Sequence, residues 1–229
     1  MSTAPTATAE RRRLLTEVAA RVPAPAGDSC VRVGIDGVDG SGKTVFAGEL
    51  SAALREAGRQ VVQVSVDDFH HVRALRYRRG RSSPEGFWLD SFDYVRFVAE
   101  VLEPLGPEGS RDYRPQGHDL ATDRVLDGPW LTAPAGSVLV VDGLFLHRAE
   151  LAGHWDFTVF LDVPFEVTAA RMAARDGTNP DPAHPSMARY VQAQETYFAQ
   201  CQPWASADLV IDNAEGERPR VKAGLGSRS

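Results

Sequence analysis

Cysteine is scarce in this sequence: its 229 residues include two, Cys30 and Cys201. Two cysteines without metal-type spacing cannot build a disulfide framework, so a reducing compartment is the expectation. Long apolar runs are missing as well. No stretch approaches the ~18 residues of a membrane span. The arginine-bearing N-terminus "MSTAPTATAERRRLLTEVAARV" carries Thr16 and Glu17 where a secretory leader would carry its apolar segment. A cytoplasmic protein without a membrane partner is expected. A basic excess is also absent: 25 Lys and Arg against 31 Asp and Glu give a net charge of −6 and a pI near 5.5. No global field then argues for nucleic acid, and an anionic ligand would need a local cationic pocket.

What remains is an ordinary soluble composition, 43% hydrophobic and 24% charged. The length suits one α/β domain and is too short for two comfortable ones. Residues 1–8 read as a disordered tail, 9–213 as a single domain and 214–229 as a frayed C-terminal tail. Within the domain, Leu14, Leu15, Val18 and Val22 recur at helical spacing over 9–22. Five short β-branched runs read as strands: 31–35, 61–66, 137–143, 157–163 and 207–212. The apolar runs "SVLVVDG" and "FTVFLDV" are nearly continuous, as in strands covered on both faces. Helices are expected after Lys43, ending at Gly58, over 90–105, near 148–153, over 164–176 and over 185–203, while the 70s and 80s read as arginine-rich loop. Alternation of this kind predicts a three-layer α/β fold with a mostly parallel five-stranded sheet. Self-association is left open.

The stretch "GVDGSGKT" matches G-x-x-x-x-G-K-[ST], with Gly37, Val38, Asp39, Gly40, Ser41, Gly42, Lys43 and Thr44 forming the turn. A chance match in a chain of this length is on the order of one in a hundred. A strand before it and a helix after it supply the context the motif requires. Backbone N–H groups of such a turn curl round phosphate oxygens, and the following helix adds its positive end. Lys43 would reach the outer phosphates of ATP, and Thr44 would ligate Mg²⁺.

The guanine signature N-K-x-D and the transport-ATPase stretch L-S-G-G-Q are both absent, and a helicase or motor usually needs a longer chain. A small-molecule kinase remains, built from a cradle, an acid beside the acceptor hydroxyl and an arginine lid. Asp142 ends the strand "VLVVDG", where a carboxylate would orient Mg²⁺. Arg171 and Arg175 stand at i, i+4 on one helical face, positioned to stabilise charge on a transferred phosphoryl. Asp67 and Asp68, in "SVDDFHH", follow the second strand. Strand alternation would point them to opposite sides, with one facing the γ-phosphate, and spacing does not choose between them. The run "RALRYRRGR" allows three readings: a solvated loop, a clamp on ATP, or a grip on an acidic acceptor.

Together these residues resemble the uridine kinase/phosphoribulokinase/pantothenate kinase group of P-loop kinases, over roughly residues 31–212. "GIDGVDGSGKT" is similar to the group's opening strand and cradle, "VVDGLF" to its Walker-B strand, and "RMAARD" to its lid. "DDFHH" resembles D-[SGD]-F-[YHL], whose first acid is the general base. The resemblance therefore gives that role to Asp67. "YRPQGH" offers Tyr113 and His118 at the spacing with which uridine–cytidine kinases hold the pyrimidine. Phe69, Arg81 and Asp90 complete the candidate acceptor site. The group's N-F-D-H-P stretch has no clear match in "SSPEGFWLDSFDY", where Glu85 or Asp90 could substitute, and a further lid arginine is replaced by Thr168. The resemblance implies an ATP- and Mg²⁺-dependent phosphotransferase acting on a primary hydroxyl, the 5′-OH of uridine or cytidine as first choice. Acidic or sugar acceptors such as pantothenate or glycerate are the alternative, and a non-catalytic ATP-binding regulator is a distant one.

Overall fold

The computed structural model describes residues 8–224. Its centre is a sheet formed by β1 (Val31–Gly37), β2 (Val61–Ser65), β3 (Val138–Asp142), β4 (Phe157–Asp162), β5 (Leu209–Asp212) and β6 (Arg220–Gly224). The spatial order is β6-β5-β4-β1-β3-β2, parallel throughout except for β6, which runs antiparallel to β5. The sheet thus has six strands where five were expected. Residues 220–224, read from sequence as tail, pair with β5 through Arg220↔Asp212 and Val221↔Ile211, with an irregularity before Ala223. "RPRVKAG" has too little apolar content to signal a strand; the pairing to β5 holds it, and an exposed ion pair, Lys222 Nζ 2.8 Å from Asp162 Oδ2, adds little. Residues 1–7 and 225–229, parts of the two expected tails, lie outside the described residues.

Two apolar layers form because strand side chains alternate. On one face Val138 and Val140 of β3 join Val33 and Ile35 of β1 against α2 (Lys43–Glu56), with α1 (Ala9–Arg21) packed outside it. Leu139 and Val141 point the other way, into a cluster with Phe97, Phe145 and Tyr197. That second layer is built by α3 (Pro84–Asp90), α4 (Tyr94–Phe97, continued by a wide turn over Val98–Leu102) and α6 (Ala188–Cys201). Between β4 and α6 runs α5 (Phe165–Asp176), closed by Gly177 in the left-handed region at φ 71°. None of the helices among the described residues is long and apolar enough to cross a membrane.

The helix expected over 90–105 begins only at Tyr94. Residues 91–93 pair with the loop after β2 instead: His71 N donates to Ser91 O at 2.9 Å and Asp93 N to Phe69 O at 2.8 Å. Upstream, α3 occupies part of what read as loop. Its signal was the pair Ser83–Pro84, since Ser83 Oγ accepts from Gly86 N at 3.0 Å and proline suits a first helical position.

One buried polar network crosses the apolar layer. Asp36, fully buried near the end of β1, accepts from Tyr197 Oη and from His147 Nδ1 (2.7 Å), while its other oxygen holds Gly37 N (2.7 Å). The Tyr197 hydroxyl in turn accepts from His147 N at 3.0 Å. Burial and the Asp36 charge push the Tyr197 phenol far above its usual pKa, so it serves as a donor. Tyr197→Phe would leave one backbone N–H unpaired and Asp36 short of a donor. It should lower unfolding stability by about 1–3 kcal/mol, measured by urea titration; a loss below about 0.5 kcal/mol would show that the network is not a structural tie.

Candidate active site

The carboxyl ends of β1, β2 and β3 are level. Register pairs Asp142 with Ile35 on one side and with Ser65 on the other. Ligands of open α/β sheets gather beyond such ends, where the strand order switches. Here the turn 37–42 leaves β1 and enters α2. Gly40 and Gly42 adopt φ 74° and 91°, values that side chains disfavour. They also pack closely: a Cβ on Gly40 would fall 2.7 Å from Thr168 O, and one on Gly42 would fall 3.0 Å from Asn213 Nδ2.

Several carbonyls of this turn are held by side chains. Arg171 Nη1 donates to Gly40 O (3.3 Å) and its Nη2 to Asn213 O (2.9 Å) and Ala214 O (2.7 Å). Asn213 Nδ2 donates to Ser41 O at 2.7 Å. Arg11, buried in α1, holds Asn213 Oδ1 (3.1 Å), Gly216 O (2.6 Å) and Glu49 Oε2 (2.7 Å). Lys43 Nζ reaches across the turn to Val38 O at 2.9 Å. Gly37 N and Ser41 N are held within the turn, by Asp36 Oδ1 at 2.7 Å and Val38 O at 3.1 Å, and the remaining N–H groups are the ones that could face an anion.

A cleft of about 180 Å³ lies over the turn, lined by Asp39, Gly42, Lys43, Thr44, Asp67 and Arg175 among others. Thr44 Oγ1 donates to Asp142 Oδ2 at 2.7 Å, and Ser65 Oγ stands 3.4 Å from the same oxygen. Burial raises the Asp142 carboxyl above its ordinary pKa. An exposed hydroxyl on a buried carboxylate, beside a turn of this kind, is the oxygen donor set of a hard cation. No cluster of three His, Cys, Asp or Glu exists among the described residues. The pair therefore fits Mg²⁺ that takes its remaining ligands from phosphate and water, and does not fit an all-protein metal cage.

A larger cleft of about 440 Å³ opens beside the first, walled by His70, Arg76, Tyr77, Phe92, Arg189 and Tyr190. Asp39, Asp67, Leu144 and Arg175 line both. Asp67 and Asp68 do not continue β2. They occupy a tight helical turn, Val66–Phe69, capped by Ser65 Oγ, which accepts from Asp67 N (3.3 Å). The strand-alternation expectation therefore does not apply to this pair. Asp67 is exposed in the clefts, and Asp68 is half-buried and lines neither. His70 Nδ1 donates to Asp67 O at 2.7 Å, and its ring lies 4.5 Å from that of Phe92. Burial lowers the His70 pKa, which keeps the ring neutral and its Nε2 an acceptor.

Other candidates from sequence fall elsewhere. Arg171 and Arg175 share a helical face, but only Arg175 lines both clefts, its guanidinium forked onto Asp176 at 2.7–2.9 Å. Arg171 lines the cradle cleft alone, where it also ties Gly40 O to the segment after β5. Tyr113 and His118 line neither cleft: His118 is buried with Nε2 3.2 Å from Asp123 Oδ1, and Tyr113 pairs in a short ribbon with Leu131. Phe69 is core, edge-on to Phe97 at 5.2 Å. Asp90 is buried between Arg78 and Arg79, which bind its two oxygens. Arg81 is exposed, 5.2 Å from the Tyr77 ring. Arg76, from the run "RALRYRRGR", stands at the larger cleft, and residues the sequence did not single out, Arg11, His70, Arg189 and Asn213, stand at the site or behind it. Their only signal was polarity within stretches otherwise read as helix or loop.

No known family profile matches the chain. A thymidylate kinase of Bordetella petrii is 27% identical over 194 residues, covering 79% of this chain and 86% of that one. Among solved structures, a possible uridine kinase from Bacillus stearothermophilus matches with a TM-score of 0.68 and 24% identity, over 87% of this chain and 96% of that one. The D-glycerate 3-kinase from Cryptococcus neoformans matches with a TM-score of 0.53 and 13% identity, over 93% and 95%. These likenesses show that the chain has the α/β fold of the P-loop kinases, with a mostly parallel central sheet, the fold expected from the motifs.

Asp68 yields a stability test. Burial, then the charges of Asp67 and Asp142, raise its carboxyl from 3.8 to about 6. Between those values the folded chain holds a proton that the unfolded chain has lost, so stability falls as pH rises through that window. Asp68→Asn removes the penalty. Without added metal, unfolding stability at about pH 7.5 should increase, by on the order of 1 kcal/mol after solvent screening. The gain should vanish by about pH 4; an unchanged gain across that range would contradict the assignment.

Proposed function

We propose that this chain is an ATP- and Mg²⁺-dependent kinase that phosphorylates a hydroxyl of a small metabolite. The observation that carries this reading is the position of Asp67 on the seam shared by the cradle cleft and its larger neighbour. A carboxylate there can accept the proton of an acceptor hydroxyl held in one cleft while the oxygen attacks a phosphoryl held in the other. Lys43 and Arg175 are the cations beside that seam, where they would stabilise charge as the phosphoryl moves. Thr44 and Asp142 would hold Mg²⁺, which supplies charge neutralisation on the phosphate oxygens. Arg171, which lines the cradle cleft, would add a third cation toward the ATP phosphates, while Asn213 and Arg11 act through the shape of the cradle. Such an enzyme would work in the cytoplasm, where ATP is abundant.

Uridine or cytidine 5′-OH is the nucleoside form of this reading. The likeness to a possible uridine kinase favours it, and the thymidylate kinase relative points toward nucleotide kinases. The placement of Tyr113 and His118 outside both clefts gives it no pyrimidine contact from those residues. A coupled ADP-release screen over nucleosides, pantothenate, glycerate and sugars separates these classes. A partner-regulated ATP-binding switch would show no acceptor-dependent release.

Asp67→Asn should lower kcat roughly 10²–10⁴-fold and leave ATP affinity within about twofold, measured by ADP release and by titration with a fluorescent ATP analogue. Asp68→Asn should keep kcat within a few-fold. The reverse pattern would transfer the base role to Asp68.

A further inference from the structure

The larger cleft has two unlike ends. The end shared with the cradle carries the carboxylates Asp39 and Asp67 and the cation Arg175, whereas Arg76, Tyr77 and Arg189 line the larger cleft alone, with Asp176, which Arg175 already binds. Both guanidinium carbons stand beside one ring, at 5.3 Å (Arg76) and 5.1 Å (Arg189) from the Tyr77 centroid. Neither has a carboxylate to itself. Arg76 is 6% exposed, its Nε has no hydrogen-bond partner among the described residues, and its single ion pair is a long one, 3.4 Å to Asp123. Asp123 is already shared with Arg73 N (2.9 Å) and His118 (3.2 Å). Arg189 makes no ion pair among the described residues. Its Nη1 donates to Arg81 O (2.7 Å), and its plane lies over Phe87 at 4.8 Å. Three neighbouring arginines differ in this respect: Arg78 pairs with Asp90, Arg79 with Asp90 and Glu85, and Arg175 with Asp176.

A buried guanidinium with an open donor, next to a second without a counter-ion, is unfavourable unless an anion completes it. Guanidinium forks match carboxylate and phosphate oxygens. We infer that the acceptor is anionic: its carboxylate or phosphate group seats between Arg76 and Arg189, and its hydroxyl points to Asp67. The inference rests on the kinase reading above and narrows its substrate to hydroxy acids and sugar phosphates. It also orients the molecule, since repulsion by Asp39 and Asp67 keeps the anionic end away from the seam.

Two measurements test it separately from the kinase reading. First, the wild-type protein is saturated with Mg²⁺ and a non-hydrolysable ATP analogue, which closes the cradle to other anions, and is titrated calorimetrically with inorganic phosphate. One phosphate site should appear and weaken roughly ten- to hundredfold in Arg189→Met. Arg76→Met should behave alike if it folds, and the half-buried Arg189 decides the matter if it does not. No phosphate site, or an unchanged one in Arg189→Met, overturns the inference. Failure of the analogue to bind would count against the ATP reading instead. Second, ADP release is compared for matched pairs, glycerate with glycerol and a sugar phosphate with its sugar. The charged member should be preferred at least about tenfold in kcat/KM, and the active pair tells carboxylate from phosphate. Arg189→Met should raise KM for that acceptor without raising KM for ATP. Preference for the neutral member overturns the inference.

Discussion

A loop that turns its N–H groups inward to meet an anion must satisfy its carbonyls on the other side. In this chain that requirement is met by two side chains distant in sequence, Arg171 on Gly40 O and Asn213 on Ser41 O, and by the nearby Lys43 on Val38 O. The rest of the site follows from this constraint. Helix α5 must lie against Gly40, where even a methyl group would collide with Thr168 O. That contact brings Arg175, one helical turn beyond Arg171, over the cleft. The segment after β5 must pass beneath Ser41, and α1 must pack outside α2 so that Arg11 can reach Asn213.

The second consequence of this arrangement is a division of labour among like charges. Of the site's arginines, Arg171 is bound to backbone, Arg175 is exposed and leans on a neighbouring aspartate, and Arg76 and Arg189 face an open cleft without full compensation. The carboxylates divide similarly: Asp142 holds a hydroxyl, Asp68 is pushed toward neutrality, and Asp67 faces both clefts. Residue type does not separate these roles; burial and partner geometry do.

This explains which features were legible in sequence. The strands and the cradle were readable because they depend on local rules: β-branched runs, glycine spacing and a lysine–threonine pair at a helix start. The position of Asp142 could be read because a strand end is a local event. Asp67 could be singled out only through its resemblance to known kinases, since the alternation argument assumed a strand and the chain makes a capped helical turn. Tyr113 and His118 have the right spacing, but a ribbon between 112–113 and 131–132 and the Asp123 contact turn them elsewhere. The sixth strand was unreadable because "RPRVKAG" carries too little apolar content, and the braces Arg11 and Asn213 because their partners lie far along the chain, 202 residues apart in the case of this pair.

That separation has a consequence for synthesis. The phosphate motif leaves the ribosome early, yet the amide that holds Ser41 O and the carbonyls that hold Arg171 belong to residues 213–214. At ~5–20 residues per second, the interval between the two is on the order of ten seconds or more. During it a nascent chain displays the complete motif without the groups that fix its shape. If the cradle binds ATP as proposed, tight binding is a late event in the life of the polypeptide and the nucleotide cannot be a template for its early folding. The cradle becomes competent only when β5 closes beside β4, which makes nucleotide affinity a report on completion of the sheet.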